Sequence, residues 1–158
     1  MTDPSRSALL PIASYRVQLT PEHGFAHAVG LLDHLVSLGI SHVYLSPVTE
    51  AVPGSTHGYD VVDHTRVRAE LGGAEGLDRL LEAAASRGMS VIIDHVPNHC
   101  STSRPELNAP WWSMLRDGPG SAAAAWFDVD RTHPTAGGRV LLAVLRAPLD
   151  QVLADGGV

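Results

Sequence analysis

The apolar residues of this chain follow an order that few folds accept: a short strand-like run, a stretch of helical period, a second short run, a second helical stretch, and a third run. Residues 11–19 hold Ile12, Val17 and Leu19 with the β-favouring Tyr15, and read as a strand. Thr20-Pro21-Glu22 is a helix-start signal, with proline near the first turn. Phe25, Ala28, Val29, Leu32, Leu35 and Val36 then recur at helical spacing as far as Gly39, which can take the left-handed conformation that stops a helix. Residues 40–45 predict a second strand, ended by Ser46-Pro47, and a long loop rich in Gly, Pro and His runs from 48 to about 73. Leu77, Leu80, Leu81 and Ala84 mark a second amphipathic helix, closed by Gly88. Residues 89–93 are a third strand, whose apolar run suits burial on both faces of a parallel sheet. Strands alternating with helices in this way call for right-handed βαβ units around a parallel sheet.

After Cys100 the rhythm breaks. Residues 101–138 are rich in Pro, Gly, Ser and Ala, with Trp111, Trp112 and Trp126 embedded; residues 139–145 read as another strand and 148–154 as the start of a short helix. The organisation expected is a tail over 1–10, a βα-repeating part over 11–99, and a separate loop-rich part over 100–158. A closed barrel of eight βα units takes about 250 residues, and this chain has 158. The pattern therefore fits part of such a barrel or a smaller open α/β sheet. A net charge of -6 with no basic stripe argues against a nucleic-acid partner; all eleven cations are Arg. The single cysteine, Cys100, excludes a disulfide framework. No apolar stretch is long enough for a signal core or a membrane span. A cytoplasmic protein with no membrane partner is the expectation.

In parallel α/β sheets, ligands bind beyond the carboxyl ends of the strands. Arg16 and Gln18 lie near the end of the first strand, residues 55–63 follow the second, and Asp94-His95-Val96-Pro97-Asn98-His99 follows the third. Polar groups at all three ends are a stronger sign than any one motif. Asp94 can orient neighbours while the Nε2–H of His99 donates to a hydroxyl. Asp94 as a backbone cap beside a plain loop histidine is equally open on spacing alone. In His57-Gly58-Tyr59-Asp60, Gly58 permits an unusual backbone or close approach, and Tyr59 offers a flat face with a polar tip suited to stacking on a sugar ring. Asp60 and Asp63 can accept from hydroxyls or pair with Arg66 or Arg68; an ordinary turn with surface charges is the plainer alternative. His57, Asp60, Asp63, His64, His95 and His99 could ligate a metal only by converging, and without HxH, HExxH or a Cys pair no metal is expected. Trp111-Trp112 reads as packing, with a stacking surface for glucan as the alternative. No G-x-S-x-G elbow, P-loop or GxGxxG is present.

Asp94-His95-Val96-Pro97-Asn98-His99 resembles the first conserved region of the α-amylase family, glycoside hydrolase family 13, and Gly58-Tyr59-Asp60 resembles the loop after strand two of that family. A narrower likeness, to family members that form trehalose-type linkages, rests on several segments. These are Tyr15-Arg16-Val17-Gln18-Leu19, Tyr44-Leu45-Ser46-Pro47, the run Pro53 through His64, Leu71-Gly72-Gly73, Trp126-Phe127-Asp128-Val129-Asp130 and Gly138-Arg139-Val140-Leu141-Leu142. The resemblance implies an α/β fold: a partial TIM (β/α)8 barrel made of its first three βα units, plus the start of an inserted loop domain after strand three. It implies an intramolecular transglucosylation, in which the reducing-end α-1,4 linkage of a maltooligosaccharide becomes α,α-1,1. Retaining chemistry of this kind needs a nucleophilic carboxylate and a carboxylic acid about 5 Å apart. The family places them after strands four and five, with a further Asp after strand seven, so no catalytic residue is expected in this chain. By carry-over, Tyr59 would stack on the sugar whose bond is cleaved and His99 would bond its hydroxyls. Asp60 would bind or brace an arginine elsewhere in the full barrel, and His57 and Asn98 would also touch substrate. Asp94, Asp63, Arg16 and Gln18 would support the site. The resemblance implies no cofactor, a maltooligosaccharide or α-glucan as substrate, and the rest of the barrel as partner; the chain by itself is expected to show no turnover. The competing expectations are an α-glucan hydrolase of the same family, a non-catalytic glucan-binding module using Tyr59 and the tryptophans, and a metal hydrolase.

Overall fold

The structure is a computed structural model that describes residues 10–140 and 147–156. Three strands, β1 (Ser14–Val17), β2 (His42–Leu45) and β5 (Ser90–Ile93), form a sheet in the order β1-β2-β5, parallel throughout. The register aligns Arg16 with Tyr44 and Ile92, and Val17 with Leu45 and Ile93. Because side chains alternate across a strand, Val17, Val43 and Leu45 share one face, where helices α1 (Phe25–Ser37) and α2 (Gly73–Ser86) cover them. Phe25, Ala28, Leu32 and Leu35 of α1 and Leu80 and Ala84 of α2 complete that core. Arg16, Tyr44 and Ile92 lie on the opposite face.

Several elements depart from expectation. Pairing in β1 begins only at Ser14, and Ile12 is exposed; Ser41 Oγ takes the Ile12 and Ala13 N–H groups at 2.9 and 3.2 Å. Thr20-Pro21-Glu22 starts a turn rather than the helix: Thr20 and His23 exchange backbone hydrogen bonds of 3.3 and 3.0 Å, and α1 opens at Phe25. The stretch expected as loop over 48–73 contains an antiparallel hairpin of β3 (Thr49–Ala51) and β4 (Val61–Val67), with an irregular register at Glu50. Asp63, His64, Thr65 and Arg66 conceal β4, because the strand lacks an apolar alternation. β5 was expected to be buried on both faces, yet Ile92 and Ile93 are 39% and 40% exposed. The reason is position: among the described residues β5 pairs only with β2 and forms an edge of the sheet.

The chain divides into two compact units, Met1–Trp112 and Ser113–Val158. Residues 100–112, expected with the later part, lie in the first unit. There Ser101 N–H donates to Val61 O at 2.7 Å and Asn108 Nδ2 to Ser101 O at 3.2 Å. Helix α3 covers Ala109–Asp117. In the second unit, helix α4 (Leu149–Ala154) falls where a helix start is expected. The strand expected over 139–145 lies, from residue 141 on, outside the described residues. Among the described residues no helix is long and apolar enough to cross a membrane.

Candidate functional site

Parallel pairing brings the carboxyl ends of β1, β2 and β5 to one rim. Ser46 N–H donates to Val17 O at 3.1 Å and Asp94 N–H to Leu45 O at 3.0 Å, so the three strands end level. Fully buried Ser46 fixes the exit from β1, its Oγ accepting the Leu19 N–H at 2.8 Å. Ser46 went unremarked as a site-building residue because nothing in the sequence separates it from an ordinary strand-end serine.

Three elements meet in one cluster on this rim. The Tyr59 hydroxyl donates to Asp94 Oδ2 at 2.5 Å, and Arg16 Nη2 donates to the Tyr59 hydroxyl at 2.9 Å. The same nitrogen reaches Asp94 Oδ2 at 3.5 Å, while Nη1 donates to Gln18 Oε1 at 2.8 Å. The guanidinium also sits over the Tyr44 ring, 5.4 Å from its centroid, within cation–π range. The hydrogen bond to Asp94 pushes the Tyr59 phenol above its ordinary pKa, because phenolate would face a carboxylate. Gln18 Nε2 donates to Thr56 O at 3.0 Å, tying β1 to the loop that carries Tyr59.

That loop has its own frame. Gly58 is in the left-handed region at φ 77°, and a Cβ there would stand 2.9 Å from Pro47 O. Both the conformation and the close approach require glycine. Tyr59 N–H donates to His57 Nδ1 at 3.0 Å, so the neutral His57 ring carries its proton on Nε2. The His57 and Tyr59 rings stack at 6.1 Å with 15° between planes. Asp60 Oδ1 accepts from Ser55 Oγ at 2.5 Å and lies 3.8 Å from His57 Nδ1.

His99 lies beneath this loop. Its Nε2, expected to reach a ligand hydroxyl, instead faces Tyr59 O at 3.0 Å, and Nδ1 is 2.8 Å from Asn98 Oδ1. A neutral ring donating from Nε2 must accept at Nδ1, which requires the Asn98 amide to turn its NH₂ inward. His64 Nε2 in turn meets His99 O at 3.1 Å, and the His64 and His95 rings pack edge to face at 5.3 Å.

Asp63 stands apart from the cluster. Its carboxylate accepts from Thr65 N–H (2.8 Å), Thr65 Oγ1 (2.6 Å) and Arg66 Nε (2.8 Å), and the Thr65 hydroxyl leads in holding its pKa low. Arg66 therefore pairs with Asp63, whereas Arg68 pairs with Glu70 and leaves Asp60 to Ser55. Among the described residues no three His, Cys, Asp or Glu side chains gather as metal ligands. Tyr59, Asp60, Asp94, His99, Arg16, Gln18, His57 and Asn98 are thus linked in one network. Asp94, 15% exposed and accepting from a phenol and a guanidinium, is a fixed anchor within it.

Polar groups gathered at the carboxyl ends of parallel strands are the arrangement of α/β domains that bind ligands at that rim, barrels and open sheets alike. The chain belongs to the alpha-amylase family: the alpha amylase catalytic domain matches residues 28–136, more than half of its length. It is 49% identical over 144 residues, 88% of the chain, to a putative maltooligosyl trehalose synthase of Mycobacterium tuberculosis, and covers 19% of that protein. An alpha-amylase of Bacteroides thetaiotaomicron is 42% identical over 74 residues, 47% of the chain and 10% of the relative. The maltooligosyltrehalose synthase structure from Arthrobacter ramosus superposes with a TM-score of 0.83 at 44% identity, over 91% of this chain and 19% of that one. The chain thus spans about a fifth of the length of the first relatives it matches.

Proposed function

We propose that this chain is the opening part of a maltooligosyl trehalose synthase: the first three βα units of a (β/α)8 barrel and the start of a loop domain inserted after the third strand. Its role in the complete enzyme is to form one wall of the sugar site. The reaction there is the intramolecular transfer that turns the reducing-end α-1,4 linkage of a maltooligosaccharide into α,α-1,1. The observation that carries this reading is the Arg16–Tyr59–Asp94 cluster, which joins three elements at one rim and holds a tyrosine ring by its hydroxyl. With its hydroxyl anchored, the Tyr59 ring is pre-organised for stacking on a glucose unit.

Each residue then has a defined task. Asp94 and Arg16 hold the Tyr59 phenol, Gln18 holds the loop backbone, and His99 with Asn98 supports the Tyr59 carbonyl from below. With Nδ1 accepting from the backbone, His57 has its Nε2–H, on a half-exposed ring, to donate to a sugar hydroxyl. Asp60 keeps one carboxylate oxygen beyond its bond to Ser55 for a cation or hydroxyl. A wall of this kind lowers the barrier by gripping the ring more tightly as it flattens toward the oxocarbenium ion. The reacting carboxylates belong to the remainder of the barrel, so the chain alone is expected to turn nothing over. A cytoplasmic setting fits the unpaired Cys100.

The test is complementation. The Arthrobacter ramosus enzyme, deprived of the segment that this chain matches, is mixed with this chain and maltopentaose. Transglucosylation consumes reducing ends, whereas hydrolysis creates them. A fall in reducing ends, with a non-reducing trehalosyl product, is the expected result. A rise would replace the synthase by an α-glucan hydrolase, and turnover by this chain alone would overturn its assignment as a wall without reacting groups.

A further inference from the structure

Arg68 follows β4 directly, and its side chain, 1% exposed, is the largest of the fully buried ones among the described residues. A guanidinium is removed from water only where its donors find partners in their fixed fork geometry. Here Nε donates to Glu70 Oε2 at 3.0 Å, Nη2 donates to the same oxygen, and Nη1 donates to Ser55 O at 2.9 Å. Glu70 also accepts the Gly54 N–H, at 3.1 and 3.2 Å from its two oxygens. From Ser55 the line continues: its Oγ donates to Asp60 Oδ1 and accepts the Gly58 N–H at 3.0 Å. The main chain of Arg68 is fixed as well, its N–H donating to Val48 O at 2.9 Å and its carbonyl accepting the Gly73 N–H at 3.1 Å.

We propose that Arg68, with Glu70, is the positioning residue of this site, clamping residues 54–58 from behind and so setting the Tyr59 ring and the Asp60 carboxylate for a glucan ring. The clamp holds Gly54 and Ser55, whereas Arg16 and Gln18 hold Tyr59 and the Thr56 carbonyl. Its consequence for sugar binding rests on the glucan reading above; its consequence for the loop does not. Lysine cannot replace it, since a single ammonium does not serve the Glu70 carboxylate and the Ser55 carbonyl in that forked geometry.

The test uses Arg68→Lys and Glu70→Gln in this chain, followed by amide hydrogen exchange and by maltopentaose titration, both read by NMR. In Arg68→Lys, the Gly54, Gly58 and Tyr59 amides are expected to exchange at least tenfold faster while the Val43 and Leu45 amides keep their native rates. Glu70→Gln should release the same amides to a smaller degree, which retains a readout if the lysine variant fails to fold. Maltopentaose-induced shifts at Tyr59 should need about tenfold more ligand in Arg68→Lys. Equal acceleration in β2 would make Arg68 a general support of the fold and overturn the proposal, as would unchanged exchange at residues 54–59. If the unaltered chain, complemented by the truncated Arthrobacter ramosus enzyme, leaves maltopentaose unchanged while Arg68→Lys still frees the loop, the clamp stands and the glucan reading falls.

Discussion

β2 and β5 lie side by side in the same sheet, with the same length and the same apolar character, yet they are held by different forces. In β2, Val43 and Leu45 are fully buried under α1 and α2. In β5, Val91 packs partly against that core while Ile92 and Ile93 stay about two-fifths exposed. What secures β5 is polar and sits at its ends: Ser90 N–H on Ser41 O, Asp94 N–H on Leu45 O, and the Asp94 carboxylate on Tyr59 and Arg16. The difference teaches that an apolar run fixes strand identity, whereas burial depends on how many neighbours the strand has. It also means that the site is assembled on the tethered strand, so the ties at the rim stabilise both the edge of the sheet and the cluster of Arg16, Tyr59 and Asp94.

The contrast is broken most severely at its packed end. Leu45→Ala removes a fully buried side chain from beneath two helices. The lost transfer energy and the cavity together should cost about 2–5 kcal/mol, measured as a lowered urea midpoint at unchanged slope. Gly58→Ala comes next. The left-handed backbone alone costs a non-glycine residue roughly 1–2 kcal/mol, and the new Cβ would stand 2.9 Å from Pro47 O. The loop must shift to relieve that contact, so Tyr59 should lose its bond to Asp94, visible as a perturbed Tyr59 ring signal.

These two positions also mark how far the residue pattern alone could be read. Leu45 and its strand were legible because a parallel strand under helices is apolar and bounded by turn residues. Gly58 was legible because a glycine ahead of an aromatic and an acid in a strand-end loop suggests backbone freedom. The hairpin of β3 and β4 was not, since its pairing spans the loop of residues 52–60 and its register slips at Glu50. The rim cluster of Arg16, Tyr59 and Asp94 followed from the rule that polar groups beyond parallel strands converge. The clamp did not. Asp60 and Asp63 were the carboxylates the pattern offered to Arg68, and only the fold brings Glu70 to it instead. Nor could spacing reveal that His99 Nε2 is directed at Tyr59 O, since two residues forty positions apart meet only after β4 and the segment following β5 align.

The tethered strand should respond less to truncation than the packed one. Ile93→Ala removes a side chain already 40% exposed, so its cost should stay below about 1.5 kcal/mol. A cost equal to that of Leu45→Ala would show that β5 is covered in solution and would erase the comparison.

The finest test is pH, because packing is indifferent to it and the rim ties are not. Hydrogen bonding to Asp94 raises the Tyr59 phenol above its ordinary pKa. A group whose folded-state pKa is raised contributes stability that is complete below its unfolded value and is lost as pH rises through the folded value. The Tyr59 tie should therefore hold to about pH 10 and weaken above it, as phenolate forms beside the Asp94 carboxylate. Tyr59→Phe removes the titrating group, so its urea midpoint should be lower than that of the unaltered chain near neutrality and the gap should close at alkaline pH. The effect is small, since the pair is only part-buried and water still screens it. A gap of constant size across that range would mean that Tyr59 contributes by packing alone, and that β5 is held by the same force as β2.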